Sequence, residues 1–119
     1  MYREITVGKE SIPMNANAAT PIRYRHVFKG DVLKEFQSLG EDNTSVAIET
    51  ISQLAFIMAR AADGSDMNKL NEEQYMEWLE QFEPFDIANA SEDIVSLYVG
   101  NTEGMSEVKK KARDAVKEN

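Results

Sequence analysis

The segment from Thr44 to Ala62 constrains the fold of this 119-residue chain more than any other. Drawn as a helix, it carries apolar side chains around most of its circumference: Val46, Ile48, Ile51, Leu54, Ala55, Phe56, Ile57, Met58 and Ala61. A helix that is apolar on all sides is normally covered by other elements on several sides. The segment therefore predicts a central helix around which a small domain packs.

The residues before the central helix predict a β-hairpin. Residues 3–7 alternate and are rich in β-branched side chains, a turn follows at 8–10, and a second short strand follows at 11–14. Pro13 cannot donate a ladder hydrogen bond, so this second strand is expected to lie at a sheet edge. An isolated hairpin is only marginally stable, so this one must pack on apolar residues elsewhere in the chain.

Two short helices are predicted between the hairpin and the central helix. Thr20 and Pro21 are typical of a helix start, with Thr20 as the capping residue and Pro21 in the first turn. Gly30 is expected to end or kink this helix. A second helix is expected over residues 31–40, and the side chains on its apolar face would be Phe28, Val32, Phe36 and Leu39.

Two further helices are predicted after the central one. Asn71 and Gln74 match a capping box, and Leu70 is expected to pack on Tyr75 as a hydrophobic staple. This helix is expected to stop at Pro84 and to bury an aromatic stripe made of Tyr75, Trp78, Leu79 and Phe82. A last helix is expected over residues 91–99, with Gly100 closing it and with Ile94, Val95, Leu97 and Tyr98 facing inward.

Together these elements predict a mainly α fold of the α+β class. A small N-terminal β-hairpin over 3–14 would precede a compact bundle of about four to five helices over 20–100, as one globular domain spanning 1–104. Residues 105–119 keep helical spacing but offer little apolar area, so a charged, marginally ordered tail is expected there. Deleting that tail should leave the thermal midpoint of unfolding nearly unchanged, which a melt of the shortened chain would check.

The net charge of -8 is distributed unevenly along the chain. Residues 1–40 hold six Lys/Arg against four Asp/Glu, residues 41–104 hold two against fourteen, and residues 105–119 hold five against three. Phosphates and anionic lipids would repel so acidic a body, so neither a nucleic-acid nor a membrane partner is expected. Two interpretations of the acidic body stay open: a solubilising surface, or a weak, salt-sensitive homo-oligomer in which the basic ends of one copy meet the acidic body of another.

The residue types present also limit the chemistry. The chain has no cysteine and one histidine, His26, which excludes disulfides, thiol catalysis and cysteine-ligated metals. The stretch 63–68 resembles a calcium loop, but its EF-hand positions are wrong at Met67, Asn68 and Gln74. Four glutamates follow one predicted helix without a histidine and are interpreted as a solvated face: Glu72, Glu73, Glu77 and Glu80. No catalytic, cofactor or metal site is predicted, and the chain is not expected to be an enzyme.

One basic and aromatic cluster precedes the central helix. Arg23, Tyr24 and Arg25, beside His26, are candidate partner-binding residues. The alternative is that the two arginines pair with acids elsewhere in the domain. Near the C-terminus a second candidate partner-binding group is the lysine run Lys109, Lys110 and Lys111.

Several stretches, taken in order, resemble the tail assembly chaperones of long-tailed phages and prophages of Gram-positive bacteria. They are Ile12-Pro13-Met14, Ala19-Thr20-Pro21-Ile22-Arg23-Tyr24-Arg25 and Phe28-Lys29-Gly30-Asp31-Val32-Leu33-Lys34-Glu35. The resemblance covers most of the chain, and its specific part is residues 19–35. It implies a non-enzymatic protein, without cofactors, that binds the tape-measure protein while tail-tube subunits polymerise around it. Such a chaperone would be absent from the mature virion.

The resemblance also implies a short form and a frameshifted long form, of which the long form recruits the tail-tube (major tail) protein. The lysine run at 109–111 lies where such a frameshift is expected, and the alternative is a tail that only improves solubility. Since the N-terminus has no apolar signal, the bacterial host cytoplasm is the expected location. Two other function classes stay open: a small acidic regulatory or inhibitory module, and a structural tail or head–tail joining protein retained in the virion.

Overall fold

In the computed structural model, which describes residues 1–31, 34 and 44–99, a two-stranded hairpin is followed by four α-helices. The strands are β1 (Tyr2–Val7) and β2 (Glu10–Asn15), and the helices are α1 (Thr20–Phe28), α2 (Thr44–Ala62), α3 (Glu72–Leu79) and α4 (Asp86–Tyr98). One turn of 3-10 helix, Met67–Lys69, precedes α3. The predicted fold class, a small hairpin followed by a mainly helical bundle, is confirmed. The helix expected over 31–40 falls largely outside the described residues, and the tail and Gly100 lie wholly outside them.

The hairpin packs one face onto the helices. Its strands are antiparallel, with Ile5 opposite Ile12 and Arg3 opposite Met14. Side chains alternate along a strand, so Ile5, Val7 and Met14 share the inner face, and each is at most 2% exposed. β1 packs against α4 and β2 against α2, which supplies the apolar support that an isolated hairpin lacks.

Helix α2 is the centre of the fold, as its sequence predicts. Six consecutive residues, 54–59, are no more than 4% exposed, so neighbours cover the whole circumference of that part of the helix. β2, α1, α3 and α4 all pack against α2. A continuous apolar surface on one helix thus organises both the hairpin and the other helices of the described part of the chain.

A cluster of aromatic side chains joins α1, α2 and α3. Phe56 lies at its middle, with ring centroids 5.7 Å from Tyr75 and 5.8 Å from Trp78. Phe28 of α1 contacts Tyr75 at 5.0 Å, and Phe82 contacts Trp78 at 5.0 Å, mostly edge to face. The expected burial of Trp78 in this stripe is confirmed, since its residual exposure is 5%.

The ends of α1 differ from the prediction by one residue each. Thr20 is the first helical residue rather than the cap, because its hydroxyl accepts a hydrogen bond from the Asn17 backbone N–H at 2.9 Å. Pro21 lies in the first turn, as expected. The left-handed residue that ends the helix is Lys29, with φ 61°, and not Gly30; its backbone N–H donates to the Arg25 carbonyl.

The start of α3 matches the sequence and its end does not. Asn71 and Gln74 form the expected reciprocal capping box. The helix stops at Leu79, well before Pro84, and the Phe82 N–H then donates to the Leu79 carbonyl at 3.0 Å. This turn brings the Phe82 ring back against the ring of Trp78. α3 therefore ends five residues before Pro84, at a turn in which Phe82 packs on Trp78.

Helix α4 begins five residues earlier than predicted. It starts at Asp86, whose carboxylate accepts a hydrogen bond from the Glu83 N–H at 2.9 Å. The additional turn buries Ile87 and Ala90 beside the expected Ile94 and Leu97. The expected inward-facing Val95 and Tyr98 are only partly buried. The spacing of three, four and three between the four buried residues was the sequence signal for the longer helix.

A buried hydrogen bond links α2 to α3. The Ser52 hydroxyl donates to the Glu49 carbonyl at 2.8 Å, so the Tyr75 hydroxyl, 2.6 Å away, donates its proton to the Ser52 oxygen. Burial, together with the nearby carboxylates of Glu49 and Glu72, raises the pKa of the Tyr75 hydroxyl, so it remains a protonated donor.

Ser52→Ala should destabilise the protein more than Tyr75→Phe does. The alanine leaves the buried Tyr75 hydroxyl without its acceptor, at a cost of about 1–3 kcal/mol, whereas phenylalanine leaves Ser52 still bonded to Glu49. The free energies of unfolding in urea would measure both, and the double variant should recover part of the Ser52→Ala loss. Equal losses for the two single variants would contradict the direction of this hydrogen bond.

Candidate partner-binding surface

Helix α1 separates the predicted basic and aromatic cluster into a buried and an exposed part. Tyr24 is 2% exposed, and its hydroxyl donates to Gln53 Oε1 at 2.8 Å. Its ring also lies 5.3 Å from that of Phe28. Tyr24 therefore fastens α1 to α2, and its side chain is not presented at the surface.

The cations of that cluster lie outside the core. Arg23 is partly buried, while Arg25 and His26 are exposed. Among the described residues no carboxylate oxygen lies within 4.0 Å of either arginine, so the alternative of pairing within the domain is not seen in this part of the chain. The other candidates, Lys109, Lys110 and Lys111, fall outside the described residues.

The exposed side of α1 is larger than the predicted cluster. Ile22, Arg25, His26 and Lys29 follow the spacing of one helix face and are all exposed, Ile22 by 59%. We call these four residues the basic stripe. The Lys29 ammonium donates to the His26 carbonyl at 3.1 Å, which holds it at the C-terminal end of α1, where a cation is favourable. Sequence reasoning missed Ile22 and Lys29, although their spacing of seven was visible.

Helix α3 carries a face of the opposite charge. Glu73, Met76, Glu77 and Glu80 are exposed at the same spacing, and Met76 is 54% exposed. We call these four residues the acidic stripe. The opposite side of α3 buries Tyr75 and Trp78, so packing fixes which side faces outward. The expected solvated face of glutamates is confirmed, and Met76 at its centre was missed.

The charged residues at the end of α2 and in the loop after it form ion pairs with one another. Arg60 contacts Asp63 at 2.6 Å, and Lys69 lies 3.9 Å from Asp66. Although partial burial raises the pKa of the Asp63 carboxyl, hydrogen bonds from Ser65 and Arg60 lower it below its usual value. The carboxylates thus serve local turns and ion pairs, as expected for a capped loop. Among the described residues, no three Asp, Glu or His side chains are grouped as metal ligands.

Phe85 is a further exposed apolar group that sequence reasoning did not single out. It is 74% exposed at the start of α4, between Glu83 and Asp86. An aromatic residue next to a helix start is expected inside, so only the tertiary structure shows that this one faces outward. Three of the exposed large apolar side chains, Ile22, Met76 and Phe85, lie on or beside the helices and have charged neighbours in sequence or on the same face.

Within the described ranges, no helix has both the length and the apolar character to cross a bilayer. The chain matches no protein-family model, no curated protein and no solved structure. The geometry of the surface and the residue pattern along the chain are therefore the basis for a functional proposal.

Proposed function

We propose that the protein is a non-enzymatic tail assembly chaperone that binds the tape-measure protein in the bacterial cytoplasm and is absent from the mature virion. The observation that carries this proposal is the residue pattern from Ala19 to Glu35, which resembles that family. The frameshifted long form and its recruitment of the tail-tube protein are part of the same proposal.

The placement of the described part of that pattern supports a binding role for α1. Thr20 and Tyr24 are buried, and Phe28 enters the aromatic cluster. Lys29 ends the helix in the left-handed conformation. Tyr24 and Phe28 therefore hold α1 against α2, while Ile22 and Arg25 of the same pattern are exposed. A helix fixed in this way keeps its outer face available to a partner.

The surface also fits the physical task. A long helical substrate that aggregates easily needs a carrier with high solubility and many weak contacts that can be released. Exposed ion pairs contribute at most about 1 kcal/mol each, and isolated apolar side chains such as Met76 and Phe85 add small contact areas. The acidic body additionally keeps the carrier from clustering through its apolar residues.

Co-expression with the tape-measure protein tests this proposal. The reading frame downstream of this gene should encode a long helical tape-measure protein, and the upstream frame a major tail protein. Tagged chain should copurify with the tape-measure protein and increase its soluble fraction. A Phe85→Ser/Met76→Ser variant should copurify less, whereas Tyr2→Ser, which changes another exposed apolar residue on the hairpin, serves as a matched control.

Two outcomes would overturn the proposal. Recovery of the chain in stoichiometric amount from purified virions would indicate a structural tail or head–tail joining protein. Failure to bind the tape-measure protein, together with capture of a DNA-binding protein that nucleic acid displaces, would indicate an acidic inhibitory module. The frameshifted long form has a separate test in the gene sequence. If the codons for residues 109–111 contain no slippery heptamer, the long form is no longer part of the proposal.

A further inference from the structure

The basic stripe of α1 and the acidic stripe of α3 are complementary to each other. Each has four exposed positions with the sequence spacing three, one and three, and in each the last position, Lys29 or Glu80, is the residue that directly follows the helix. Each has one large apolar side chain, Ile22 or Met76; the basic stripe also carries the two cations Arg25 and Lys29, and the acidic stripe carries three glutamates. We propose that the basic stripe of one copy docks on the acidic stripe of a second copy.

The charged groups of both stripes form no ion pair with any other described residue. Ion pairs among the described residues join Arg3 to Asp93, Arg60 to Asp63 and Lys69 to Asp66. These pairs include no member of either stripe. The two faces belong to one chain and are exposed in the same fold, so another molecule of that chain supplies the matching partner at equal concentration.

The spacing gives the contact a defined register. When the centres of the two stripes are aligned and the helices run antiparallel, Arg25 lies beside Glu77 and Lys29 beside Glu73. Ile22 then lies about one helical turn from Met76. In the parallel orientation Arg25 would instead lie beside Met76, so the charges favour the antiparallel contact. Tyr24 is buried and takes no part in this contact.

The contact should be weak and sensitive to salt, because its charges are exposed and the apolar area is small. This inference is independent of the proposed function, since it needs no protein other than the chain itself. Loss of tape-measure binding would not affect it, and a strictly monomeric chain would not affect the proposed function.

Reversing the charges of each stripe by substitution, and then mixing the two variants, tests the contact. Sedimentation velocity of the full chain, over a concentration series, should show association that weakens at least tenfold between about 20 mM and 500 mM salt. Arg25→Glu/Lys29→Glu and Glu73→Lys/Glu77→Lys should each abolish association, because each places like charges opposite one another. An equimolar mixture of the two variants should associate again, since every reversed charge then meets an opposite one.

Charge-reversal variants at residues outside both stripes serve as controls for the effect of net charge. Lys9→Glu/Lys34→Glu and Glu10→Lys/Glu92→Lys change exposed residues and shift the net charge by the same amounts. These controls should associate as the unmodified chain does. Far-UV circular dichroism and thermal midpoints should show that all four variants are folded.

Three outcomes would overturn the inference. The first is a monomer at low salt and high protein concentration, which would leave the stripes to other partners. The second is equal loss of association in the control variants, which would reduce the effect to net charge. The third is a mixture of the two stripe variants that does not associate.

Discussion

Replacing Trp78 with alanine should lower the free energy of unfolding by about 3–5 kcal/mol. The indole is 95% removed from solvent and lies between the rings of Phe56 and Phe82, at 5.8 Å and 5.0 Å. Truncation would remove these ring contacts and leave a cavity between α2 and α3. Since small domains hold about 5–15 kcal/mol of stability in total, a large part of the population could unfold.

Urea unfolding followed by far-UV circular dichroism would measure this loss, because the variant has no tryptophan. Trp78→Phe is the conservative control and should retain most of the edge-to-face packing on Phe82. In the unmodified protein, the fluorescence of this single tryptophan should be that of a buried indole. Emission at a solvent-exposed wavelength, or a loss below about 1 kcal/mol for the alanine, would contradict this placement.

Replacing Gly8 with alanine should cost about 2–3 kcal/mol, for two separate reasons. Gly8 turns the hairpin with φ 66°, a left-handed conformation that costs a residue with a Cβ about 1–2 kcal/mol. A Cβ at this position would also overlap Asp86, whose Cγ would be 2.7 Å away. Moving Asp86 would weaken its hydrogen bond to the Glu83 N–H, which supports the start of α4.

Gly64 provides a matched control for the backbone contribution. Its φ is 82°, yet an added Cβ would meet no atom within 4 Å, so Gly64→Ala should lose only the cost of the left-handed conformation. The difference between the two alanine variants measures the close approach of the hairpin to α4. In an Asp86→Ala background that difference should disappear, and its persistence would show that Asp86 is not the obstructing group.

Local patterns in the sequence were sufficient for the elements whose causes lie within a few residues. The apolar circumference of α2 predicted its burial, and Asn71 with Gln74 predicted the start of α3. The alternation in residues 3–7 predicted the hairpin. In each case neighbouring side chains or backbone periodicity determine the conformation, so no knowledge of distant contacts is needed.

Tertiary contacts decided the features that depend on residues distant in the chain. Phe82 packs on Trp78 beyond the end of α3, which comes before Pro84. The contacts of Tyr24 with Phe28 and with Gln53 keep the aromatic residue of the basic cluster inside. Sequence placed Arg23, Tyr24 and Arg25 together because they are adjacent. The fold separated them, because a helix turns about 100° per residue and only one side can face α2.

The candidate surface also has features that the sequence predicted and features that only tertiary contacts decided. Sequence alone determined that the chain is acidic, that its glutamates on α3 share a face, and that cations precede the central helix. It did not determine that Ile22, Met76 and Phe85 remain exposed, since a large apolar residue near a helix is normally expected in the core. Which side of α1 and of α3 is covered depends on the packing of both helices around α2. The pairing of a basic with an acidic stripe is therefore a property of the tertiary structure, because burial of the opposite helix faces selects it.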